Sequence, residues 1–248
     1  MNRTEALSPK VAIVGAGLTG LLTAHGLKKA GFQVVLFDRE RGLDARERDW
    51  PISVHWALPA LKSLLSDSTL ANFPSALSRP HIEYTPEVES MLCINGQTGE
   101  VMIRSVIPGL RRITRQRLRR ILAAELAATG AIRWDKQLDS IEFDGDSHPV
   151  RLIFADGTMA EADYVLGTDG ASSKTRELLF GDDKEAALAK PSGLMCATGY
   201  VMHGDAAKVE PVIKLHPLAA VTVGTTSNCG LAGMYGLIAQ LSIFSLVV

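Results

Sequence analysis

The sequence predicts an α/β fold, and three observations predict it. Val11–Val14 and Gln33–Phe37 are short apolar runs of strand character, separated by a stretch of helical periodicity. The first run opens directly into Gly15-Ala16-Gly17-Leu18-Thr19-Gly20. Far along the chain a third apolar run, Ala162–Leu166, again opens into a glycine-bearing turn followed by a helical pattern. Strands alternating with helices are the mark of a parallel sheet.

The amino-terminal segment is a complete βαβ unit of Rossmann type. Leu18, Leu21, Leu22, Leu27 and Ala30 recur at helical spacing, and Gly31 is suited to end that helix. In the turn, Gly15 permits the tight bend, Gly17 lets backbone approach a diphosphate, and Gly20 lets helix and strand pack closely. The helix start offers N–H groups and a positive dipole end to a negative group. The second strand ends on Asp38, 18 residues after Gly20, where a carboxylate reaches a ribose hydroxyl pair. The unit therefore predicts a bound dinucleotide. An acid at this position disfavours a 2′-phosphate and suits NAD and the adenosine half of FAD alike.

The following elements are read in order. Leu43–Trp50 is a charged connection, Pro51–Trp56 a short strand, and Ala57–Leu65 a helix that tolerates Pro59 in its first turn. Ser66–Ser68 closes that segment, and residues 67–90, with three prolines, read mostly as loop. Met91–Asn95 and Val101–Ser105 flank a Gly96–Gly99 turn and form a hairpin. Leu110–Thr129 reads as one long helix, with Leu118, Ile121, Leu122 and Leu126 on its apolar face. Its first half holds Arg111, Arg112, Arg115, Arg117, Arg119 and Arg120, read mainly as a solvated face. Gly130 caps it and Ile132–Trp134 begins a strand. Ser140–Phe143 and Val150–Phe154 make a second hairpin, and Asp156-Gly157 a further turn. The strand Ala162–Leu166 then enters Gly167-Thr168-Asp169-Gly170. On spacing this is either a second nucleotide-binding turn or a plain strand-to-helix turn with Asp169 as N-cap.

Composition narrows the partners. The 26 basic and 27 acidic residues nearly cancel, so no electrostatic feature calls for nucleic acid or an anionic membrane. Cys93, Cys196 and Cys229 are odd in number and widely spaced, which suggests a reducing compartment, buried inert thiols and no metal site. Arg3 and Lys10 before an uncharged run mimic a signal peptide, but the glycine fingerprint accounts for the same residues. The expected location is cytoplasmic.

With the second turn in view, the sequence resembles the FAD-dependent aromatic-hydroxylase type of monooxygenase, with the para-hydroxybenzoate hydroxylase fold. Three features carry the resemblance: Gly15-x-Gly17-x-x-Gly20 with Asp38; Arg115-x-x-Leu118-x-x-x-Leu122; and Gly167-Thr168-Asp169-Gly170 through Ser173 and Arg176. It runs from about Val11 to Phe180, and Ile52–Leu58 is similar to a fungal secondary-metabolism subgroup. The resemblance implies that Gly15, Gly17, Gly20 and Asp38, with Arg39 alongside, bind the ADP half of FAD. Arg115, Asp169 and Gly170 would add further contacts, with Asp169 also serving NAD(P)H. It implies that NAD(P)H reduces FAD, which then uses oxygen to hydroxylate or epoxidise a small aromatic or polyketide- or terpenoid-like substrate. The cofactor carries that chemistry, so no catalytic side chain is nominated. His55 is read either as a residue near the flavin or as a satisfied core histidine.

The implied organisation is an FAD-binding domain over residues 1–180, with inserted hairpins near 91–105 and 140–154, and a partial substrate domain over 181–248. The family usually has Glu where this chain has Asp38, and carries a later Gly-Asp…Pro motif that binds the flavin's ribityl chain. His203-Gly204-Asp205 with Pro211 imitates that motif but comes too soon after Gly170, and is read as a polar turn. Residues 217–248 carry no charge. They are read as the interrupted substrate domain of a chain truncated at its carboxyl end, with a membrane anchor as the lesser reading. Two alternatives stay open: a catalytically impaired flavoprotein remnant, and an NAD-dependent Rossmann oxidoreductase.

Overall fold

A computed structural model of the chain describes residues 8–45, 49, 51–143, 149–191, 194–202, 206–224, 228–235 and 238–246. The elements in chain order are β1 (Lys10–Val14), α1 (Leu18–Lys29), β2 (Gln33–Phe37), β3 (Pro51–Val54), α2 (Leu58–Leu64), α3 (Asp67–Asn72), β4 (Ser90–Asn95), β5 (Val101–Val106), β6 (Arg111–Thr114), α4 (Arg115–Ala128) and β7 (Ile132–Arg133). They continue with β8 (Leu138–Glu142), β9 (Val150–Phe154), β10 (Met159–Ala162), β11 (Tyr164–Gly167), α5 (Lys174–Phe180), α6 (Lys184–Ala187), β12 (Leu194–Met202), α7 (Ala206–Leu215), β13 (Ala219–Val223), β14 (Asn228–Tyr235) and β15 (Ile238–Leu246). They form two compact units. One takes residues 1–49, 59–73 and 115–189; the other takes 50–58, 74–114 and 190–248.

The first unit is built on a parallel sheet in the order β11-β1-β2-β7. Ala12 lies opposite Val35 on one side and Val165 on the other. Successive side chains of a strand face opposite ways, so each face of this sheet needs its own cover. Ala12, Val14 and Phe37 pack on Leu138, Leu152 and Phe154 of the antiparallel sheet β10-β9-β8. The Phe37 and Phe154 ring centroids are 4.7 Å apart. Val11, Ile13 and Leu36, also buried, face the other way, toward α1 and α4. There Leu118, Leu122 and Leu126 are each at most 1% exposed, contributing about 2 kcal/mol apiece. His25 of α1 donates from Nε2 to the Leu122 carbonyl at 2.8 Å, joining the two helices.

Three elements differ from the sequence reading. Residues 111–114 form β6, paired antiparallel with β3, and the helix begins only at Arg115. The β-branched pair Ile113-Thr114 suits a strand, and the partner strand supplies the hydrogen bonds that helical propensity alone would have placed locally. Residues 67–72 form a helix where a loop was expected. Ser66 is its N-cap, accepting from Thr69 N, and Ser66 Oγ and Thr69 Oγ1 both donate to Glu125 of α4. The run Ala162–Leu166 is divided at Asp163. Its first part pairs antiparallel with β9 and its second part pairs parallel with β1.

In the second unit the β4–β5 hairpin joins the carboxyl-terminal strands in a six-stranded sheet of order β12-β15-β14-β13-β4-β5. β13 runs parallel to β4, and Leu92, Ile94 and Ala220 form a small core there. Much of the uncharged carboxyl-terminal stretch is thus strand, and among the described residues no helix is long and apolar enough to cross a membrane. Residues 203–205, the imitation Gly-Asp motif, lie outside the described residues. Cys93 is a half-buried free thiol, and the side chains of Cys196 and Cys229 are likewise outside.

Candidate dinucleotide site

The site forms where β1 and β11, adjacent and parallel, end at the same edge of the sheet. Val14 and Gly167 are partners in register, so the turns that follow them emerge side by side. Crevices outside the carboxyl ends of parallel strands are where such sheets bind ligands. Thr168 ties the two turns together, its hydroxyl lying 2.9 Å from the Val14 carbonyl and 2.8 Å from that of Gly15. Thr168 N donates to the same Val14 carbonyl at 2.8 Å.

The three glycines of the first turn are required for different reasons. Gly15 has φ +106°, and a Cβ there would lie 2.6 Å from the Thr168 carbonyl oxygen. At Gly20 a Cβ would sit 1.9 Å from the Gly15 carbonyl oxygen and 2.6 Å from Thr168 Oγ1, so helix and turn touch backbone to backbone. Gly17 differs from both. Its φ of −74° is open to any residue, and a Cβ there meets nothing within 4 Å. Among the described residues no protein atom asks for glycine at 17. The helix begins at this point, with Leu21 N donating to the Gly17 carbonyl at 3.0 Å.

Asp38 closes β2 beside this turn and is 7% exposed. Its Oδ2 accepts from Ala16 N at 2.6 Å and its Oδ1 from Glu40 N at 2.9 Å. Arg119 of α4 completes the corner. Its Nε donates to the Ala16 carbonyl at 2.8 Å, its Nη1 to Glu40 Oε2 at 2.7 Å, and its Nη2 lies 3.6 Å from Asp38 Oδ2. Among the described residues Nη2 is buried without a hydrogen-bond acceptor. The guanidinium lies 5.5 Å from the centroid of the Trp134 ring.

Arg119 overturns its reading as part of a solvated face, and it is the residue that sequence reasoning missed. The signal was present: 119, 122, 123 and 126 share one helical face, and the other three are Leu122, Ala123 and Leu126. A charged residue in phase with a buried stripe needs a buried partner, and Asp38 and Glu40 supply two. Arg112 is also buried, donating to Ser53 Oγ, and burial pushes its guanidinium down to about 10.

In the second turn Asp169 braces its own loop. Its Oδ1 accepts from Ser173 Oγ at 2.5 Å and its Oδ2 from Thr175 N at 3.0 Å. The N-cap of α5 is Ser173, not Asp169. Gly170 has φ +85° and an open surface. Arg39 and Arg115 are both exposed. His55 is exposed on the turn after β3, which removes the buried-core reading.

The arrangement fits the adenosine diphosphate half of a dinucleotide. There is open space before Gly17 at a helix N-terminus, a carboxylate corner at the end of β2, and a second turn alongside. Comparison with known proteins agrees. Residues 13–53 match the NAD(P)-binding Rossmann-like domain family. The chain is 32% identical over 216 residues to the FAD-dependent monooxygenase cctM of Talaromyces islandicus, covering 86% of this chain and 51% of that protein. It is 29% identical over 219 residues to the FAD-dependent monooxygenase phnB of Penicillium herquei, covering 88% and 51%. The chain therefore spans about half the length of these relatives. Klebsiella pneumoniae HpxO, solved with FAD and uric acid, superposes with a TM-score of 0.72 at 18% identity, over all of this chain and 59% of that one. That likeness establishes the fold. The resemblance to FAD-dependent monooxygenases, fungal ones included, holds along most of the chain.

Proposed function

We propose that this chain carries the FAD-binding part of a flavin-dependent monooxygenase, a protein that oxidises a small aromatic or polyketide-like molecule with NAD(P)H and oxygen. The observation that carries this reading is the glycine at 17, where backbone conformation and protein packing would both accept a side chain. Its place as N-cap of α1 would be filled as well by Ser, Thr, Asn or Asp, so a ligand that must approach the backbone is the specific reason for glycine there. In this reading Gly15, Gly17 and Gly20 shape the diphosphate turn, and Asp38 serves the ribose. A carboxylate offers about four acceptor positions, so the amides of Ala16 and Glu40 leave Asp38 capacity for a hydroxyl. Asp169 holds the Gly170 turn in shape. Arg39 and Arg115, both exposed, supply positive charge to phosphate oxygens. The unit of residues 1–49, 59–73 and 115–189 acts as the cofactor domain; residues 74–114, read from sequence as part of it, join 190–248 in the unit that carries part of the substrate domain, and the protein works in the cytoplasm.

Bound flavin would supply the redox and oxygen chemistry. The protein's own residues bind and orient it, and none is assigned a proton transfer. The likeness of the chain to FAD-dependent monooxygenases along most of its length favours flavin over a simple NAD-dependent oxidoreductase.

The test is direct. The purified chain is mixed with FAD, freed of excess, and its visible spectrum recorded. Retained flavin absorbance is expected, weakened about tenfold or more in Arg115→Ala with an unchanged melting temperature. A colourless chain that binds NADH instead would replace this reading with the dehydrogenase alternative.

A further inference from the structure

We propose that Arg119 is a positioning residue for the diphosphate, acting by fixing the orientation of the Ala16–Gly17 peptide. This rests on the dinucleotide reading and assigns a role within it to a residue outside the glycine turn. Ala16 is held at both ends: its N–H donates to Asp38 Oδ2 at 2.6 Å, and its carbonyl accepts from Arg119 Nε at 2.8 Å. In a planar trans peptide the carbonyl of Ala16 and the N–H of Gly17 point in opposite directions. With the carbonyl drawn toward α4 by Arg119, a residue that is itself only 8% exposed, the Gly17 N–H is turned away from α4. The Gly17 carbonyl is committed to starting α1 through Leu21 N. One amide at the head of a 12-residue helix is thereby preset before any ligand arrives. A preorganised donor binds an anion without first having to be ordered.

Arg119 also sets the charge of the corner. It lies against two carboxylates, with Glu40 Oε2 at 2.7 Å from Nη1 and Asp38 Oδ2 at 3.6 Å from Nη2. Three charges leave the corner at −1; without Arg119 it stands at −2, beside the place where a diphosphate must sit. Both effects, orientation and charge, act on the phosphates and not on a neutral nucleoside. They can be told apart, because Glu40→Gln added to Arg119→Met restores −1 without restoring the bond to Ala16.

The experiment measures ADP and adenosine affinity, by competition against FAD fluorescence, for the full chain, Arg119→Met and Arg119→Met/Glu40→Gln. Expected is a loss of about tenfold or more for ADP in both variants, with adenosine within twofold of the parent. An equal loss for both ligands would reduce Arg119 to a structural residue. Recovery of ADP binding in the double variant would reduce it to a charge balancer. A second measurement needs no variant: the Gly17 amide signal of the parent chain, followed by NMR, should shift on adding ADP and stay in place on adding adenosine. A Gly17 amide indifferent to ADP overturns the proposal even if the variants fail to fold. A parent chain that binds neither FAD nor ADP instead overturns the dinucleotide reading itself.

Discussion

Replacing Gly17 and Gly20 separately by alanine separates ligand binding from folding. At Gly17 the backbone conformation suits alanine and the new methyl meets no atom of the described residues within 4 Å. Alanine is a poorer N-cap than glycine, by up to about 1 kcal/mol, while loss of glycine's freedom in the unfolded chain returns about 0.4–1 kcal/mol. The two nearly cancel, so Gly17→Ala should melt within about 3 °C of the parent. At Gly20 the methyl would lie 1.9 Å from a backbone oxygen. Helix α1 and the turn would have to separate, costing about 3 kcal/mol or more, a large share of a typical 5–15 kcal/mol and roughly a 10 °C fall in melting temperature. Thermal denaturation followed by circular dichroism reads the first effect and quenching of flavin fluorescence the second. Gly17→Ala should lose FAD affinity by about 100-fold or more, as its methyl occupies the space a diphosphate needs. Gly17→Val should abolish binding. A stable Gly17→Ala protein that holds FAD as tightly as the parent would refute the assignment of that space. A Gly20→Ala protein with parental melting would refute the turn geometry.

Three further outcomes are expected. Thr168→Val removes the hydroxyl that links the two turns through the Val14 and Gly15 carbonyls, and should cost about 1 kcal/mol in urea unfolding; Thr168→Ser should recover it. His216 is buried, with Nδ1 accepting from Leu218 N at 3.2 Å and Ala219 N at 3.0 Å. Burial, then the charges of Arg104 and Arg112, lowers its pKa, partly opposed by hydrogen bonds at Glu87 and Ser90. The unfolded chain therefore takes up this proton first. Its contribution to stability is complete above the unfolded value of about 6.5 and is lost as pH falls toward the folded value. The urea midpoint of the parent should decline over that range more than that of His216→Asn; equal declines would contradict the assignment. Finally, all six residues of β5, at the edge of its sheet, are exposed, including Val101, Met102, Ile103 and Val106. Such an edge templates pairing between chains, so Ile103→Lys should lower self-association in sedimentation without moving the melting temperature.

The sequence by itself determined the βαβ unit, with β2 at Gln33–Phe37 as read, both turns, both hairpins and the helical stripe of Leu118, Leu122 and Leu126. These are local patterns: strand alternation, helical spacing and glycine position act over a few residues, so a few residues reveal them. The reasons for Gly15 and Gly20 were legible in the same way. Only tertiary structure decided that residues 111–114 are a strand, because their hydrogen bonds come from β3, some 60 residues earlier. It decided that Ala162–Leu166 divides between two sheets, since β9 and β1 compete for its backbone. It also separated Arg119 from its arginine neighbours. Apart from Arg115, picked out by its motif, these arginines looked alike in a basic run, and what sets Arg119 apart lies in Asp38 and Glu40, about 80 residues away. A buried charge is stable only where a distant partner meets it, and spacing within one helix cannot show where that partner is.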